Sequence, residues 1–179
     1  MTIHTSISLN TLNSLSQLDA EKWFSHCCAA PKWYQSMALA RPFSNVNLIK
    51  SAAEEIWTTC TKVDFMTAFE AHPMIGDVNS LRKKYAATKA MAGNEQQGAT
   101  HASEQTLQAL SKANHDYLAK FGFIFIICAT GLSANTMLQA LQQRINNESQ
   151  TEINLAAAEQ IKITLLRLEK GLEKGTHTS

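Results

Sequence analysis

The sequence has too little proline and glycine, three and seven in 179 residues, for a disordered chain or for the turn-rich all-β classes that need frequent breakers. It also lacks a run of about 18 apolar residues, so no transmembrane helix is expected. The opening MTIHTSISLN is without the basic-then-apolar order of a signal peptide, and the closing GTHTS is no peroxisomal address. A cytoplasmic location follows as the expectation. Charge of one sign is missing too: 16 Lys+Arg balance 15 Asp+Glu to a formal +1, which leaves no field to gather phosphates and argues against a nucleic-acid partner. The four cysteines, Cys27, Cys28, Cys60 and Cys128, contain no CxxC pair. They read as reduced, mostly buried thiols instead of a metal cage or a disulfide framework. There is no Gly-rich phosphate cradle, no Ser/His/Asp framework and no His-x-x-x-His pair.

What is present is helical periodicity. At 45% hydrophobic and 17% charged residues, the chain suffices for one sizeable core in a single domain. Ser16-Gln17-Leu18-Asp19 is a helix start, followed by Trp23, Phe24 and Cys27 until Pro31 interrupts. A short segment runs from Lys32 to Ala40, ended by Arg41-Pro42. Leu48, Ile49, Ala52, Ala53, Ile56, Trp57 and Cys60 trace one apolar stripe, and Asp64 to Ala71 forms a shorter helix that stops before Pro73. Between Gly76 and His101 the pattern dissolves into a polar, glycine-flanked connection. Ser103 to Phe121 resumes as a helix with Gly122 as its stop. The run Phe123 to Ala129 is apolar on every side and reads as a buried strand or the start of a buried helix. Ser133 to Arg144 and Thr151 to Lys174 complete an all-α pattern.

Three features carry potential chemistry. His72 lies where a helix dipole turns negative, which favours the imidazolium and suits a proton donor, although capping the last carbonyls is the commoner role for such a histidine. Glu95-Gln96 places a carboxylate beside a carboxamide in a loop, either to bind a small polar ligand or merely to be solvated. Arg167 sits amid Ile163, Leu165, Leu166 and Leu168, so its stem either snorkels to water or turns the guanidinium inward to hold an anion. His26, His101 and His115 read as surface or core-edge residues, and Arg82-Lys83-Lys84 as a solvated turn.

Taken in order, Arg41-Pro42-Phe43, Ala71-His72-Pro73-Met74-Ile75-Gly76, Asn94-Glu95-Gln96-Gln97-Gly98, Lys120-Phe121-Gly122-Phe123 with the Phe125-to-Ala129 run, and Ile163 through Leu168 resemble the 2-oxo-4-hydroxy-4-carboxy-5-ureidoimidazoline (OHCU) decarboxylases of urate breakdown. The likeness runs roughly from Leu9 to Leu172. It implies one all-α domain over residues 1–179, a compact bundle of about eight helices with flexible termini at about 1–9 and 173–179. It further implies a homodimer without cofactor, metal, nucleic-acid or membrane partner, which converts OHCU to (S)-allantoin and carbon dioxide.

Carried over by resemblance, His72 is the catalytic proton donor with Pro73 beside it, and Glu95 is the second catalytic residue. Ala92, Gly93, Asn94, Glu95 and Gln96 form a ligand-contacting segment; Phe125, Ile126, Ile127, Cys128 and Ala129 line the site largely through their backbone. Arg167 is the buried arginine that binds substrate. Two positions depart from the family pattern: Met74 replaces a common Arg or Asp, and Ala92 replaces a Ser, which would remove one ligand hydrogen bond. Such a substrate carries its own electron sink, a carbon-nitrogen unsaturation next to the carbon that loses the carboxylate, so neither pyridoxal phosphate nor thiamine is called for. Two alternatives stand beside this reading. One is a non-enzymatic helical module for ligand binding or dimeric interaction; the other is a related decarboxylase for another ureido or α-hydroxy acid.

Overall fold

The structure, a computed structural model, describes residues 6–73, 78, 79, 81, 83 and 103–173. Eight helices are bounded among them: α1 (Leu9–Ser14), α2 (Gln17–Ser25), α3 (Pro31–Leu39), α4 (Val46–Thr58), α5 (Lys62–Glu70), α6 (Glu104–Phe121), α7 (Ala134–Arg144) and α8 (Ser149–Gly171). Residues 78, 79, 81 and 83 are helical as well. The described residues contain no strand; one isolated parallel bridge joins Ile7 to Leu172. The fold is all-α, as the periodicity predicts. Two compact units are distinguished, Met1–Ala71 with Ala157–Ser179, and His72–Ala156.

In the first unit, helix starts are written in short polar side chains. Ser8, Ser16 and Asn45 each accept a hydrogen bond from a backbone N–H in the first turn of α1, α2 and α4. Asp64 accepts from the N–H and the hydroxyl of Thr61 at the head of α5, closing a capping box. Pro31 opens α3 at its first position, where the missing N–H costs nothing; the chain breaks before it because α2 has already ended at Ser25. α1 itself carries no stripe long enough to be read from sequence, and it is held from outside. Arg41 donates to the carbonyls of Leu12 (2.9 Å) and Leu15 (2.7 Å) past the end of α1, and to Ala38 (2.9 Å) near the end of α3.

α3 packs against α2, α4 and α5. Phe24 is fully buried, with edge-to-face rings of Trp23, Trp33 and Phe43 at 5.1, 6.1 and 6.4 Å. Each buried indole finds an acceptor: Trp33 Nε1 donates to the Ala53 carbonyl and Trp57 Nε1 to that of Ala157, both at 3.0 Å. Three cysteines, Cys27, Cys28 and Cys60, are buried and Cys128 is half-buried, all four as thiols.

The second unit is built on α6 packed against α7. Ser103 and Ser133 cap the two helices, and Gly122 ends α6 in the left-handed region at φ +77°, as its position in the sequence predicts. Leu107, Leu110, Tyr117, Met137 and Leu141 form the buried face. The run Phe123 to Ala129 is neither strand nor helix start. It is an irregular segment in which only Phe123 and Ile126 are buried. Gly122 turns the chain out of helical geometry, and the described residues offer no strand to pair with it, so side chains must hold it instead.

Candidate active site

His72 follows directly on α5, one residue past the cap at Ala71. The capping box at Thr61 sets where this helix begins, and the stacking of Phe65 on Trp57 (4.7 Å between ring centroids) together with buried Ala68 and Phe69 fixes which face is inward. His72 is half-buried and Pro73 exposed. Ala92, Gly93, Asn94, Glu95 and Gln96 lie outside the described residues.

Arg167 lies in the last third of α8, one turn beyond a pair of fully buried polar residues, Gln160 and Thr164. Thr164 donates its hydroxyl to the Gln160 carbonyl at 3.0 Å, a bond internal to the helix. Arg167 itself is half-buried, not buried as the resemblance implies, and its Nη1 donates to the carbonyl of Cys27 at 3.1 Å. That carbonyl belongs to the turn leaving α2, where the N–H groups of Cys27 and Cys28 both bond back to Phe24. The guanidinium is thereby oriented by main chain. Burial pushes the Cys27 thiol up to about 12, with the positive charge of Arg167 offsetting part of the rise, and the Cys28 thiol up to about 11. Neither is a thiolate at neutral pH, so this corner provides a cation without a nucleophile.

The segment Phe125 to Ala129 has a support that sequence reasoning did not find. Glu152, fully buried in the first turn of α8, accepts at Oε1 from Tyr117 Oη (2.5 Å), Arg144 Nε (2.8 Å) and Arg144 Nη2 (2.5 Å), and at Oε2 from Asn147 Nδ2 (2.9 Å). Arg144 Nη1 continues to the carbonyl of Ile126 at 2.8 Å, and its guanidinium lies over the Phe125 ring at 4.6 Å. Burial, then the bond to Glu152, pushes the Tyr117 phenol far above its ordinary range, so it stays a donor. The signal available in the sequence was slight: an Arg at the last turn of one helix and a Glu in the first turn of the next, eight residues apart.

Among the described residues, then, the structure gives His72 at a helix end, Arg167 tied to the Cys27 carbonyl, and Phe125 and Ile126 tied to Arg144, which pairs with the fully buried Glu152. A crystal structure of an OHCU decarboxylase in the presence of (S)-allantoin is 35% identical and superposes with a TM-score of 0.67, covering 84% of this chain and 96% of that one. A crystal structure of (S)-allantoin synthase, at 17% identity and a TM-score of 0.66, shares the fold over 93% of this chain. The uric acid degradation bifunctional protein TTL of Arabidopsis thaliana is 36% identical over 145 residues, 80% of this chain but 44% of that protein. The chain thus spans less than half of that bifunctional relative. The OHCU decarboxylase of Xenopus laevis is 26% identical over 163 residues, 90% of this chain and 93% of that one. The model of the OHCU decarboxylase family matches residues 13–169, nearly the whole of the chain, which therefore belongs to the OHCU decarboxylase family.

Proposed function

We propose that this chain decarboxylates OHCU to (S)-allantoin and carbon dioxide in urate degradation, as a carboxy-lyase that needs no cofactor. The observation that carries the reading is the family match across residues 13–169, a range within which His72, Glu95 and Arg167 fall. In the reaction the bond between the ring carbon and its carboxylate breaks and carbon dioxide leaves. The electron pair forms a carbon-carbon double bond as the neighbouring carbon-nitrogen π pair passes to nitrogen, which takes up a proton. The ring hydroxyl then gives up its proton to become a carbonyl, and a proton is delivered to the former imine carbon on one face of the ring. His72, favoured as imidazolium by the helix end before it, serves that delivery. Glu95 accepts the hydrogen bond of the ring hydroxyl. Arg167 holds substrate oxygens, and its bond to the Cys27 carbonyl supports the role by orienting the guanidinium. Pro73, Ala92 to Gln96 and Phe125 to Ala129 complete the substrate contacts, and residues 1–179 act as one functional domain, in the cytoplasm and as a homodimer.

The test generates OHCU from urate with urate oxidase and hydroxyisourate hydrolase, and follows the optical activity of allantoin by circular dichroism. Wild-type protein should speed the appearance of the (S) enantiomer. His72→Ala should keep its helical spectrum and lose about 10² to 10⁴ in rate, the usual worth of a positioned general acid. Should wild-type protein leave the spontaneous decay of OHCU unchanged, the non-enzymatic module takes over; activity on another ureido acid but not on OHCU would favour the related decarboxylase, for which Met74 and Ala92 argue.

A further inference from the structure

A buried Arg–Glu pair contributes little stability that apolar side chains of the same volume would not, because desolvating both charges offsets their attraction. What an apolar residue cannot do is hold a main-chain carbonyl in one direction. Arg144 does so. Two of its nitrogens are occupied by Glu152 Oε1, and the third, Nη1, reaches the Ile126 carbonyl at 2.8 Å, in a segment that has neither helix nor strand to fix it. Glu152 is in turn held at its other oxygen, Oε2, by Asn147, so the fork has little freedom to swing. The segment is pinned again beyond, where Leu132 N–H bonds to the Ala129 carbonyl at 3.2 Å in the turn that contains Gly131 at φ +77°. The peptide joining Ile126 to Ile127 is planar and trans, so its carbonyl and its N–H point in opposite directions. An arginine that captures the Ile126 carbonyl therefore also sets the direction of the Ile127 N–H, away from the ion pair.

We propose that Arg144, clamped by Glu152, is a positioning residue that aims the Ile126–Ile127 peptide, with its N–H as donor, at the bound substrate. The inference rests on the functional reading above, in which Phe125 to Ala129 contact substrate through their backbone. It assigns that segment's geometry to two charged side chains outside it, on α7 and α8. Arg144 touches no reacting atom in this scheme; it acts through the main chain.

Steady-state kinetics on OHCU with wild type, Arg144→Lys and Tyr117→Phe test it. A lysine keeps the charge beside Glu152 but has one nitrogen on a flexible stem. It lacks the planar fork by which Arg144 Nη2 and Nη1 meet the carboxylate and the Ile126 carbonyl in fixed directions, so the aim of that carbonyl is lost. Arg144→Lys should raise KM about tenfold, the worth of one well-aimed hydrogen bond, with kcat within about threefold of wild type. Tyr117→Phe removes a different donor from the same carboxylate and leaves Arg144 on Ile126. It should lower the melting temperature yet keep the wild-type KM. If Arg144→Lys does not fold, the double exchange Arg144→Met with Glu152→Gln leaves no unpaired charge and should show the same rise in KM. An unchanged KM in the Arg144 variant overturns the proposal, and so does an equal rise in Tyr117→Phe, which would make the effect general loosening. Wild-type protein inactive on OHCU would remove the functional reading first, a result separable from either.

Discussion

Single residues in this chain take their meaning from what the fold puts against them. Gly171 illustrates it. Exchanging a helical glycine for alanine ordinarily stabilises by about 1 kcal/mol. Here a Cβ at 171 would sit 2.9 Å from Cζ2 of Trp23 and 3.5 Å from Cη2, inside the contact distance of a ring already packed on Phe24. Gly171→Ala should therefore destabilise by about 1–3 kcal/mol, with the sign read from denaturant unfolding. Arg167 shows the converse. From the sequence an inward or snorkelling guanidinium was undecided, and the family resemblance implied a buried one. The Cys27 carbonyl, 140 residues away along the chain, settles it half-buried and hydrogen-bonded to main chain. The helix end just before His72 was legible because proline follows it and apolar residues precede it, whereas the pairing of Arg144 with Glu152 was not, since nothing local distinguishes them from any surface pair on helical sequence.

At the scale of elements, the helix starts at Ser16, Ser103 and Ser133 were legible and the one at Ser8 was not. Ser8, Ser103 and Ser133 each stand three residues before a threonine, accept its backbone N–H at 3.1 Å and share a hydroxyl bond with its side chain. Ser133→Ala should cost about 1 kcal/mol in urea unfolding and Ser133→Gly only a few tenths, because glycine leaves the N-terminal donors open to water. Ends and stripes of α4 and α6 follow the same local logic. The segment Phe123 to Ala129 escaped it. A strand needs a partner strand and a helix needs its own ladder, and uninterrupted apolar sequence states neither. Its conformation comes from Tyr117 meeting Phe123 and Phe125 edge-on at 5.7 and 5.1 Å, and from the Arg144 bond to Ile126.

For the molecule as a whole, buried acids set the response to alkali. Burial raises Cys27 to about 12, and Cys28 and Cys60 to about 11, from 9.0, and it raises the Tyr117 phenol in the same direction. Above pH 9 an unfolded chain sheds thiol protons that the folded chain keeps, so the folded state binds more protons and unfolding is favoured as pH climbs. This stability is complete below pH 9 and drains away through pH 11 to 12. Urea midpoints at pH 8, 9.5 and 11 should fall in wild type, and less steeply in Cys28→Ala; parallel curves would show that the thiols are not responsible.

Composition and periodicity by themselves determined an all-helical chain with buried reduced thiols, because helix formation is governed by residues three and four apart and by caps adjacent in sequence. Which family the chain joins was written in five ordered motifs. Only the tertiary structure decided how Arg167 is anchored, why the segment after Gly122 is irregular, and which charges hold it. Those depend on carbonyls and carboxylates brought together from remote positions, and long-range hydrogen bonds leave no period in a sequence.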